Sequence, residues 1–357
     1  MSLINLEVRH VRNLKDASLE PSPVCNVVFG ANASGKTSLL EALYLLGLAR
    51  SFRTTHIREV VQHGQGWLRV VGRLEQETGQ PIVVGVERSS TECRVRVAGE
   101  EVRRLGVLAS WLPVQVLNPD AHEVLEQGPR LRRQFLDWGV FHVEHQFLED
   151  WHAYQRALRQ RNAALRLGAT ERTIRLWDAP LVAYGERIAK ARRTYLAQLL
   201  PILSDHVLRL LDTSVEFSVQ AGWTGEDGMA AALERSWPHD QKVGYTRQGP
   251  HRGELSIRVA GRPAEEVLSR GQQKLLVSAM RLAQVALLAA ERGRQCVVLV
   301  DDLAAELDRE RRGRLLELLI GSGAQVFVTT TERELLETAW PALKVFHVEH
   351  GNVREMV

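Results

Sequence analysis

One short segment constrains the fold of this chain more than any other. Residues 25–47 read CNVVFGANASGKTSLLEALYLLG: a short apolar run, then a glycine-rich loop, then a stretch with apolar residues at helical spacing. The loop has the spacing G-x-x-x-x-G-K-[ST] in the strand–loop–helix context that this motif requires. The sequence therefore predicts an α/β fold with a phosphate-binding loop at the end of a strand.

The residue types in the loop have chemical reasons. Gly30 and Gly35 let the backbone turn tightly enough to aim N–H groups at phosphate oxygens. Lys36 is expected to reach the β and γ phosphates of ATP or GTP, and Thr37 to place its hydroxyl on Mg²⁺. The alternative, a chance glycine-rich turn, is disfavoured by the match at so many spaced positions. The predicted nucleotide-binding residues of the loop are Gly30, Ala31, Asn32, Ala33, Ser34, Gly35, Lys36 and Thr37.

A second predicted strand ends in acidic residues. Residues 296–308 read CVVLVDDLAAELD, and a continuous apolar run that ends in acid is typical of a buried parallel strand whose carboxyl end meets a nucleotide. Asp301 is expected to hold Mg²⁺, and Asp302 to position or deprotonate the attacking water. The alternative role of Asp302 is to cap the N-terminus of a helix.

Residues 268–274 read LSRGQQK and precede an apolar, alanine-rich segment. Ser269 is a natural helix N-cap, and a helix start with bare N–H groups binds anions. The segment resembles the LSGGQ signature of ABC-type ATPases, whose signature helix covers the γ-phosphate held by the opposite subunit. The resemblance implies a head-to-tail dimer with two ATP at its interface, with Ser269, Arg270, Gly271 and Gln272 acting in trans. A plain helix cap is the alternative.

Other features resemble ABC-type ATPases by their order in the chain. Gln115, in LPVQVLNPD, resembles the Q-loop glutamine that senses Mg²⁺ and the γ-phosphate, and residues 306–308 resemble the D-loop. The resemblance completes a predicted catalytic set of Lys36, Asp302 and Gln115. The predicted Mg²⁺ ligands are Thr37, Asp301 and Gln115.

Threonines follow the strand AQVFVTT where ABC transporters have a histidine that contacts the γ-phosphate. The residues at this place are Thr329, Thr330 and Thr331. A hydroxyl can hydrogen-bond to phosphate but cannot carry a positive charge. Slow hydrolysis, and the role of a clamp or timer, are therefore predicted.

The nucleotide-binding elements lie at both ends of the chain. Residues 1–110 and 243–357 form the predicted ATPase head, and 111–242 form an insertion. From about 130 to 212 the insertion has apolar residues at helical spacing, but it is too short for a long antiparallel coiled coil. The predicted fold is an α/β P-loop ABC-type ATPase head with a mixed sheet, plus an inserted, mainly helical lobe.

The predicted helices of the insertion carry many basic residues. Such a set can lie along a duplex backbone and bind it without regard to sequence, with an affinity that salt weakens steeply. A solvated helix face paired with acids is the alternative. No helix-turn-helix or zinc finger is evident. The basic residues are Arg130, Arg132, Arg133, Arg156, Arg159, Arg161, Arg187, Lys190, Arg192 and Arg193.

Several stretches together resemble one family. They are RNLKDASLEP, GANASGKTSLLEALYLLGLARSFRT, LPVQVLNPD, GPRLRRQFLDWGVFH, GYTRQGPHRGEL, LSRGQQKLL and LVDDLAAELD. They resemble the RecF family, which are SMC- and Rad50-like ATPase heads without the long coiled coil. The resemblance runs from residue 1 to about 350, with a loosely matching middle at about 145–240 and an alanine, Ala33, in the phosphate loop.

The resemblance implies a weak, DNA-stimulated ATPase that serves a binding function. It implies ATP-dependent dimerisation on gapped or double-stranded DNA, and work with RecO and RecR to load RecA on SSB-coated single strands, in support of the SOS response. By the same resemblance, Arg12 and Asn13 contact nucleotide, and Arg53 links nucleotide to DNA. The DNA contacts predicted by residue are Arg53, Arg130, Arg132, Arg133, Arg156 and Arg159. His251 and Arg252 receive no role.

Composition bounds the alternatives. The 357 residues include three widely spaced cysteines, which indicate neither a disulfide framework nor a zinc site. There is no apolar run of membrane-spanning length and no leader-like start, so a cytoplasmic protein with no membrane partner is predicted. The net charge of +3 is weak support for a nucleic-acid partner. An ABC transporter subunit, a metabolic P-loop kinase and a clamp that does not hydrolyse ATP remain rival functions.

Overall fold

A computed structural model describes residues 1–76, 79–102, 104–302, 308–331 and 340–356. The chain divides into two compact units, residues 1–121 with 281–357 and residues 122–280. In chain order, the strands are β1 (Ser2–Val11), β2 (Leu14–Leu19), β3 (Cys25–Phe29), β4 (Trp67–Glu75), β5 (Ile82–Ser89), β6 (Cys93–Val97), β7 (Glu100–Glu101), β8 (Val114–Leu117), β9 (Glu216–Gln220), β10 (Glu254–Val259), β11 (Arg262–Pro263), β12 (Val297–Val300), β13 (Gln325–Thr330), β14 (Leu343–Glu349) and β15 (Asn352–Met356).

The α-helices are distributed over both units. They are α1 (Lys36–Leu48), α2 (Leu105–Trp111), α3 (Glu123–Glu126), α4 (Pro129–Val143), α5 (Phe147–Arg166), α6 (Glu171–Arg175), α7 (Asp178–Leu211), α8 (Gly228–Val243), α9 (Ala264–Val267), α10 (Arg270–Arg292) and α11 (Arg309–Gly321). Short 3₁₀ turns occupy Ile57–Glu59, Pro119–His122 and Pro250–Arg252.

The first unit is built on a six-stranded mixed sheet in the order β15-β14-β3-β13-β12-β8. All neighbouring pairs from β14 to β8 are parallel, and only β15 is antiparallel to its neighbour. Strands β8, β12 and β13 are buried at every residue, as expected for parallel strands covered on both faces. Their carboxyl ends meet at one edge of the sheet.

A second six-stranded sheet of this unit is antiparallel, in the order β2-β1-β4-β5-β6-β7. Alternate residues of β4 are buried, which is the pattern of a sheet with one face on a core. Helix α1 contacts strands of both sheets, and most of its residues are buried. The helix that follows the phosphate loop therefore lies in the core of the unit.

The second unit is mainly helical. Helices α5 and α7 occupy the segments where helical periodicity was predicted, and they pack against each other. Helix α7 continues past Pro201. A three-stranded sheet in the order β11-β10-β9 completes the unit.

One buried arginine ties the helices of this unit together. Arg161 on α5 donates to Asp178 at 2.7 Å, and to Asp240 and Thr246 at 2.8 Å each. Its side chain is fully buried, so the paired carboxylates offset the cost of removing its charge from water.

The compact units end at other residues than the predicted domains. Residues 243–280, which we assigned to the head, cluster with the helical unit, because β10 pairs along its length with β9 of the insertion. The mixed α/β fold itself is confirmed. Glu306 and Leu307 of the D-loop-like segment lie outside the described residues.

Among the described residues, one helix passes a length-and-composition test for a membrane span. It is α10, and 72% of its most apolar window is buried inside the structure. The core helix of a folded unit passes the same test.

Candidate nucleotide-binding site

The phosphate loop begins where β3 ends, at the carboxyl edge of the parallel sheet. The acidic pair follows β12 at the same edge, with β13 between the two strands. Asp301 donates its backbone N–H to Leu117 at the end of β8, at 2.8 Å. Phosphate loop and acidic residues, far apart in sequence, are thus brought together, as expected for a nucleotide site at the carboxyl ends of parallel strands.

Lys36 folds back over the loop. Its Nζ donates to the carbonyls of Gly30 and Ala31, at 2.8 Å each. Burial lowers the pKa of Lys36, and the nearby carboxylates of Asp302 and Asp301 act in the opposite direction. The ammonium is therefore held in the loop beside both acids, at the place where a triphosphate would need a cation.

A chain of hydroxyl contacts organises the acidic residues. Asp301 Oδ1 accepts from the hydroxyls of Thr37 and Thr329, at 2.9 Å each. The Thr329 hydroxyl also accepts from the backbone N–H of Asp302 at 2.8 Å. Asp302 has a left-handed backbone with a φ of 54°, so Thr329 holds a strained residue. Thr329 and Thr330 are fully buried.

Two features of the loop fit a phosphate ligand. The Ser34 hydroxyl is buried and has no hydrogen-bond partner among the described residues, which is costly unless a ligand supplies one. Gly35 has a φ of 121° and Ala33 a φ of 62°, so both adopt conformations that favour glycine. Ala33 adopts this conformation despite its Cβ.

The Asn13 side chain supports the phosphate loop through two hydrogen bonds. Its amide nitrogen donates to the Ser34 carbonyl, and its amide oxygen accepts from the Ser38 hydroxyl, both at 2.9 Å. A Cβ on Gly35 would lie 2.9 Å from the Asn13 amide. The predicted nucleotide contact at Asn13 is therefore a residue that shapes the loop in this structure.

Gly351, at the turn between β14 and β15, also supports the loop. Its N–H donates to the Ser34 carbonyl at 2.9 Å, its φ is 78°, and an added Cβ would lie 2.1 Å from the Asn13 carbonyl. Sequence analysis missed this residue. The only signal was a glycine between two alternating segments, HVEHGNV.

Arg12 is engaged by a buried carboxylate. It binds Glu41 of α1 through two nitrogens, at 2.7 and 3.0 Å, and Glu41 is fully buried. This hydrogen bonding raises the pKa of Arg12 above its ordinary value. Glu41 also accepts from the Ser51 hydroxyl, which in turn accepts from the backbone N–H of Arg53 at 2.9 Å. The loop that presents Arg53, whose side chain is exposed, is thus tied to α1.

Gln115 does not bond to Thr37 or Asp301. Its side chain is buried, and its amide donates to Gln284 of α10 at 3.0 Å. The register sets Gln115 beside Val298 in β12, three positions before Asp301. The residue that immediately follows the end of β8 is Asn118, which sequence analysis did not single out.

The signature-like segment forms a capping box at the start of α10. The Ser269 hydroxyl accepts from the backbone N–H of Gln272 at 3.4 Å, and the Gln272 side chain accepts from the backbone N–H of Ser269 at 3.0 Å. Ser269 and Arg270 are exposed. This geometry is compatible both with a plain helix cap and with a site that acts on the nucleotide of a second subunit.

The basic residues of the second unit divide by their partners. Carboxylates bind Arg132 (Glu254), Arg161 (Asp178 and Asp240), Arg187 (Asp150) and Arg192 (Asp137). The structure thus gives no support for Arg132 as a free phosphate contact. Exposed side chains that form no ion pair with the described residues are Arg130, Arg156, Arg159, Lys190 and Arg193.

His251 is a neutral, locked side chain. Its Nε2–H donates to the Thr246 carbonyl at 3.1 Å, so its Nδ1 accepts from the Tyr154 hydroxyl at 2.6 Å. Burial, and the charges of Arg252, Arg133 and Arg192, lower the pKa of His251 to about 4. Burial also raises the pKa of Tyr154. The histidine of GPHRGEL therefore carries no charge at neutral pH.

Known proteins match the whole chain. The model of the RecF/RecN/SMC N-terminal domain matches residues 2–354. The DNA replication and repair protein RecF of Stutzerimonas stutzeri (strain A1501) is 43% identical over 362 residues, covering 100% of this chain and 98% of the relative. That of Pseudomonas fluorescens (strain SBW25) is 42% identical over 361 residues, covering 99% and 98%.

Solved structures agree. The recombination mediator protein RecF-ATP of the RecFOR pathway aligns with a TM-score of 0.88 at 26% identity, covering 100% of this chain and 98% of that one. An Smc head bound to the C-winged helix domain of ScpA aligns with a TM-score of 0.60 at 15% identity, covering 100% of this chain and 98% of that one, which shows the shared fold alone. With a family model over residues 2–354 and relatives 42–43% identical along the whole chain, this protein belongs to the RecF family.

Proposed function

We propose that this protein is an ATP-dependent DNA-binding clamp of recombinational repair and replication-fork maintenance. The observation that carries the proposal is the bond from Thr37 of the phosphate loop to Asp301, at 2.9 Å, in a chain that matches RecF proteins over its full length. A hydroxyl of the phosphate loop and a carboxylate at the end of a neighbouring strand hold Mg²⁺ in P-loop ATPases, and the Thr37–Asp301 bond supports the same role here.

The residues fit ATP and Mg²⁺. The loop offers phosphate oxygens both Lys36 and the Ser34 hydroxyl, which has no hydrogen-bond partner in the described part of the chain. Thr37 and Asp301 are oxygen ligands of the kind that Mg²⁺ prefers. Bound Mg²⁺ would neutralise charge on the phosphates. Asp302, fixed by Thr329, is proposed to position the attacking water.

Gln115 as a ligand stays a prediction for which this geometry gives no support. Nucleotide contact by Arg12 also stays a prediction for which this geometry gives no support. Both hydrogen-bonding edges of the Arg12 guanidinium are used, by Glu41 and by the Glu59 carbonyl.

Hydrolysis is proposed to be slow. The Thr329 hydroxyl is occupied by Asp301 and Asp302, and a hydroxyl cannot supply the positive charge that a histidine would bring to the γ-phosphate. A long-lived ATP state suits a clamp, in which hydrolysis serves release.

Membership of the RecF family supports the proposed partners. We propose a head-to-tail homodimer in which Ser269, Arg270, Gly271 and Gln272 meet the partner's ATP. Binding to gapped or double-stranded DNA is proposed to be independent of sequence. Cooperation with RecO and RecR in loading RecA on SSB-coated strands, a role in the SOS response and a cytoplasmic location belong to the same proposal.

A gel-shift assay with gapped duplex tests the proposal. Wild-type protein should retard the duplex more strongly with ATP than with ADP, and Lys36→Ala should remove the difference, because the loop loses its cation. Duplex binding that ignores nucleotide would contradict the clamp. A wild-type chain that binds no DNA at low salt would leave a transporter subunit or a kinase as the better account.

A further inference from the structure

Arginines from two helices bind backbone carbonyls of the GPHRGEL segment. Arg192 of α7 donates to the Pro250 carbonyl at 2.7 Å, and Arg133 of α4 donates to the Gly253 carbonyl at 2.8 Å. These bonds hold the turn on either side of Arg252, and the second sets the Arg133 guanidinium at the carbonyl of Gly253, the residue that follows Arg252.

The carboxylates at this place are already used. Asp137 binds Arg192 through both oxygens, at 2.7 and 2.9 Å. Glu254 binds Arg132 in the same way, at 2.8 and 2.9 Å. Each acid therefore neutralises one arginine in a two-bond pair, which is the geometry that holds most firmly.

Neither Arg133 nor Arg252 forms an ion pair with a described residue. The only hydrogen bond of the Arg133 side chain to a described residue is to the Gly253 carbonyl, and Arg252, which is exposed, lies over the Tyr245 ring at 5.5 Å. His251 is neutral, as shown above. Arg130, three residues before Arg133 on α4, lies on the same face of the helix and is exposed.

Charges of both signs act on the Arg133 guanidinium. The pKa of Arg133 is lowered, first by burial and next by the charge of Arg192; Glu254 and Asp137 act in the opposite direction, and Arg252 acts in the same direction as Arg192. A half-buried guanidinium among like charges is stabilised by an anion, and a guanidinium suits phosphate because two of its N–H groups match two phosphate oxygens.

We infer that Arg133 and Arg252 form a phosphate site that takes one phosphodiester of the DNA backbone, with Arg130 beside it. The inference rests on the proposed DNA binding and deepens it, because it separates these arginines from the paired ones nearby. Arg252, to which sequence analysis gave no role, becomes the exposed contact.

Arginine footprinting of the full-length protein tests the site. Phenylglyoxal should modify Arg252 in the free protein, and gapped duplex should slow that modification, as read for each arginine by mass spectrometry. The matched control is Arg172 of α6, an exposed arginine of the same unit with no side-chain bond to a described residue. Its modification should be unchanged.

A salt titration gives the second measure. In Arg252→Gln, duplex affinity should fall by about tenfold, as for the loss of a charge-assisted hydrogen bond. The slope of log affinity against log salt should shrink by about one. Arg172→Gln should keep the wild-type slope. Arg252 carries the test because Arg133→Gln would also release the Gly253 carbonyl.

Equal modification of Arg252 with and without bound duplex would overturn the inference, as would equal slopes for the two variants. Failure of the wild-type chain to bind duplex would overturn the proposed function instead. Phenylglyoxal modification with inorganic phosphate in place of duplex would then test the site by itself. Protection of Arg252 would identify free phosphate as its ligand, and lack of protection would show that Arg133 and Arg252 form no phosphate site.

Discussion

A hydroxyl joins the two aspartates that follow β12. Thr329 donates to Asp301 and accepts from the backbone N–H of Asp302, so one buried side chain fixes the carboxylate beside Thr37 and the strained backbone of Asp302. The sequence has threonines where ABC transporters have a histidine that contacts the γ-phosphate, and slow hydrolysis was predicted from this difference. In the structure Thr329 contacts Asp301 and Asp302, so it acts as a positioning residue through its neighbours.

Replacing Thr329 by valine keeps the shape and removes the hydroxyl. The Asp302 N–H then loses its partner, and Asp301 loses one donor. We expect Mg²⁺-dependent ATP affinity to fall by about tenfold, from a loss of about 1–2 kcal/mol, while Thr329→Ser retains the affinity. Nucleotide titration at several Mg²⁺ concentrations measures this. Equal Mg²⁺ dependence in the valine variant and the wild type would show that the hydroxyl does not position the acids.

His251 makes stability depend on pH. Its pKa is about 4 in the folded chain against an ordinary 6.5, so the unfolded chain takes up the proton first as pH falls. The stabilisation is complete above about pH 6.5 and is lost progressively towards pH 4. Between pH 7 and 5 the loss is about 2 kcal/mol.

Denaturant unfolding of wild type and His251→Gln at pH 7 and pH 5 checks this. The variant lacks the titrating group, whereas all other histidines remain. We therefore expect the wild type to lose more stability than the variant over this range. Equal losses would mean that the imidazole is not held neutral by the fold.

At the scale of elements, the β14–β15 hairpin supports the phosphate loop. Gly351 at its turn bonds to Ser34 and lies against the Asn13 carbonyl. Three backbone segments thus meet here: the β14–β15 turn, the β1–β2 turn and the phosphate loop. Only a residue without a Cβ fits there, since an added Cβ would lie 2.1 Å from the backbone carbonyl oxygen of Asn13.

Gly351→Ala should therefore cost more than the strain of a left-handed alanine. Gly99→Ala is the matched control, because Gly99 has a φ of 88° with open space where a Cβ would be. We expect about 1 kcal/mol for the control and about 1–3 kcal/mol more for Gly351→Ala. Denaturant unfolding without nucleotide gives both values. Equal costs would show that the hairpin does not press on the loop.

Local spacing predicted some elements and could not predict others. The phosphate loop and the acidic strand were predictable because each is a contiguous strand with its following residues. The approach of Gly351 to Asn13, and the pairing of Arg12 with buried Glu41, depend on tertiary packing between distant segments. The pairing of β10 with β9 is also non-local, and because of it residues 243–280 belong to the second unit and not to the predicted head.

The proposed clamp requires two copies of the chain that share ATP. The capping box at Ser269 leaves Ser269 and Arg270 exposed at the start of α10, and a helix start attracts phosphate. Ser269→Arg would add bulk and charge there without touching Lys36. This variant should bind nucleotide as a monomer.

Sedimentation of the full-length protein with ATP, a slowly hydrolysed ATP analogue or ADP tests whether ATP holds two copies of the chain together. The wild type should be dimeric with ATP or the analogue and monomeric with ADP. Ser269→Arg should remain monomeric while it binds the analogue as tightly as the wild type. A wild-type monomer at saturating ATP, or a Ser269→Arg dimer as stable as the wild type, would contradict the clamp.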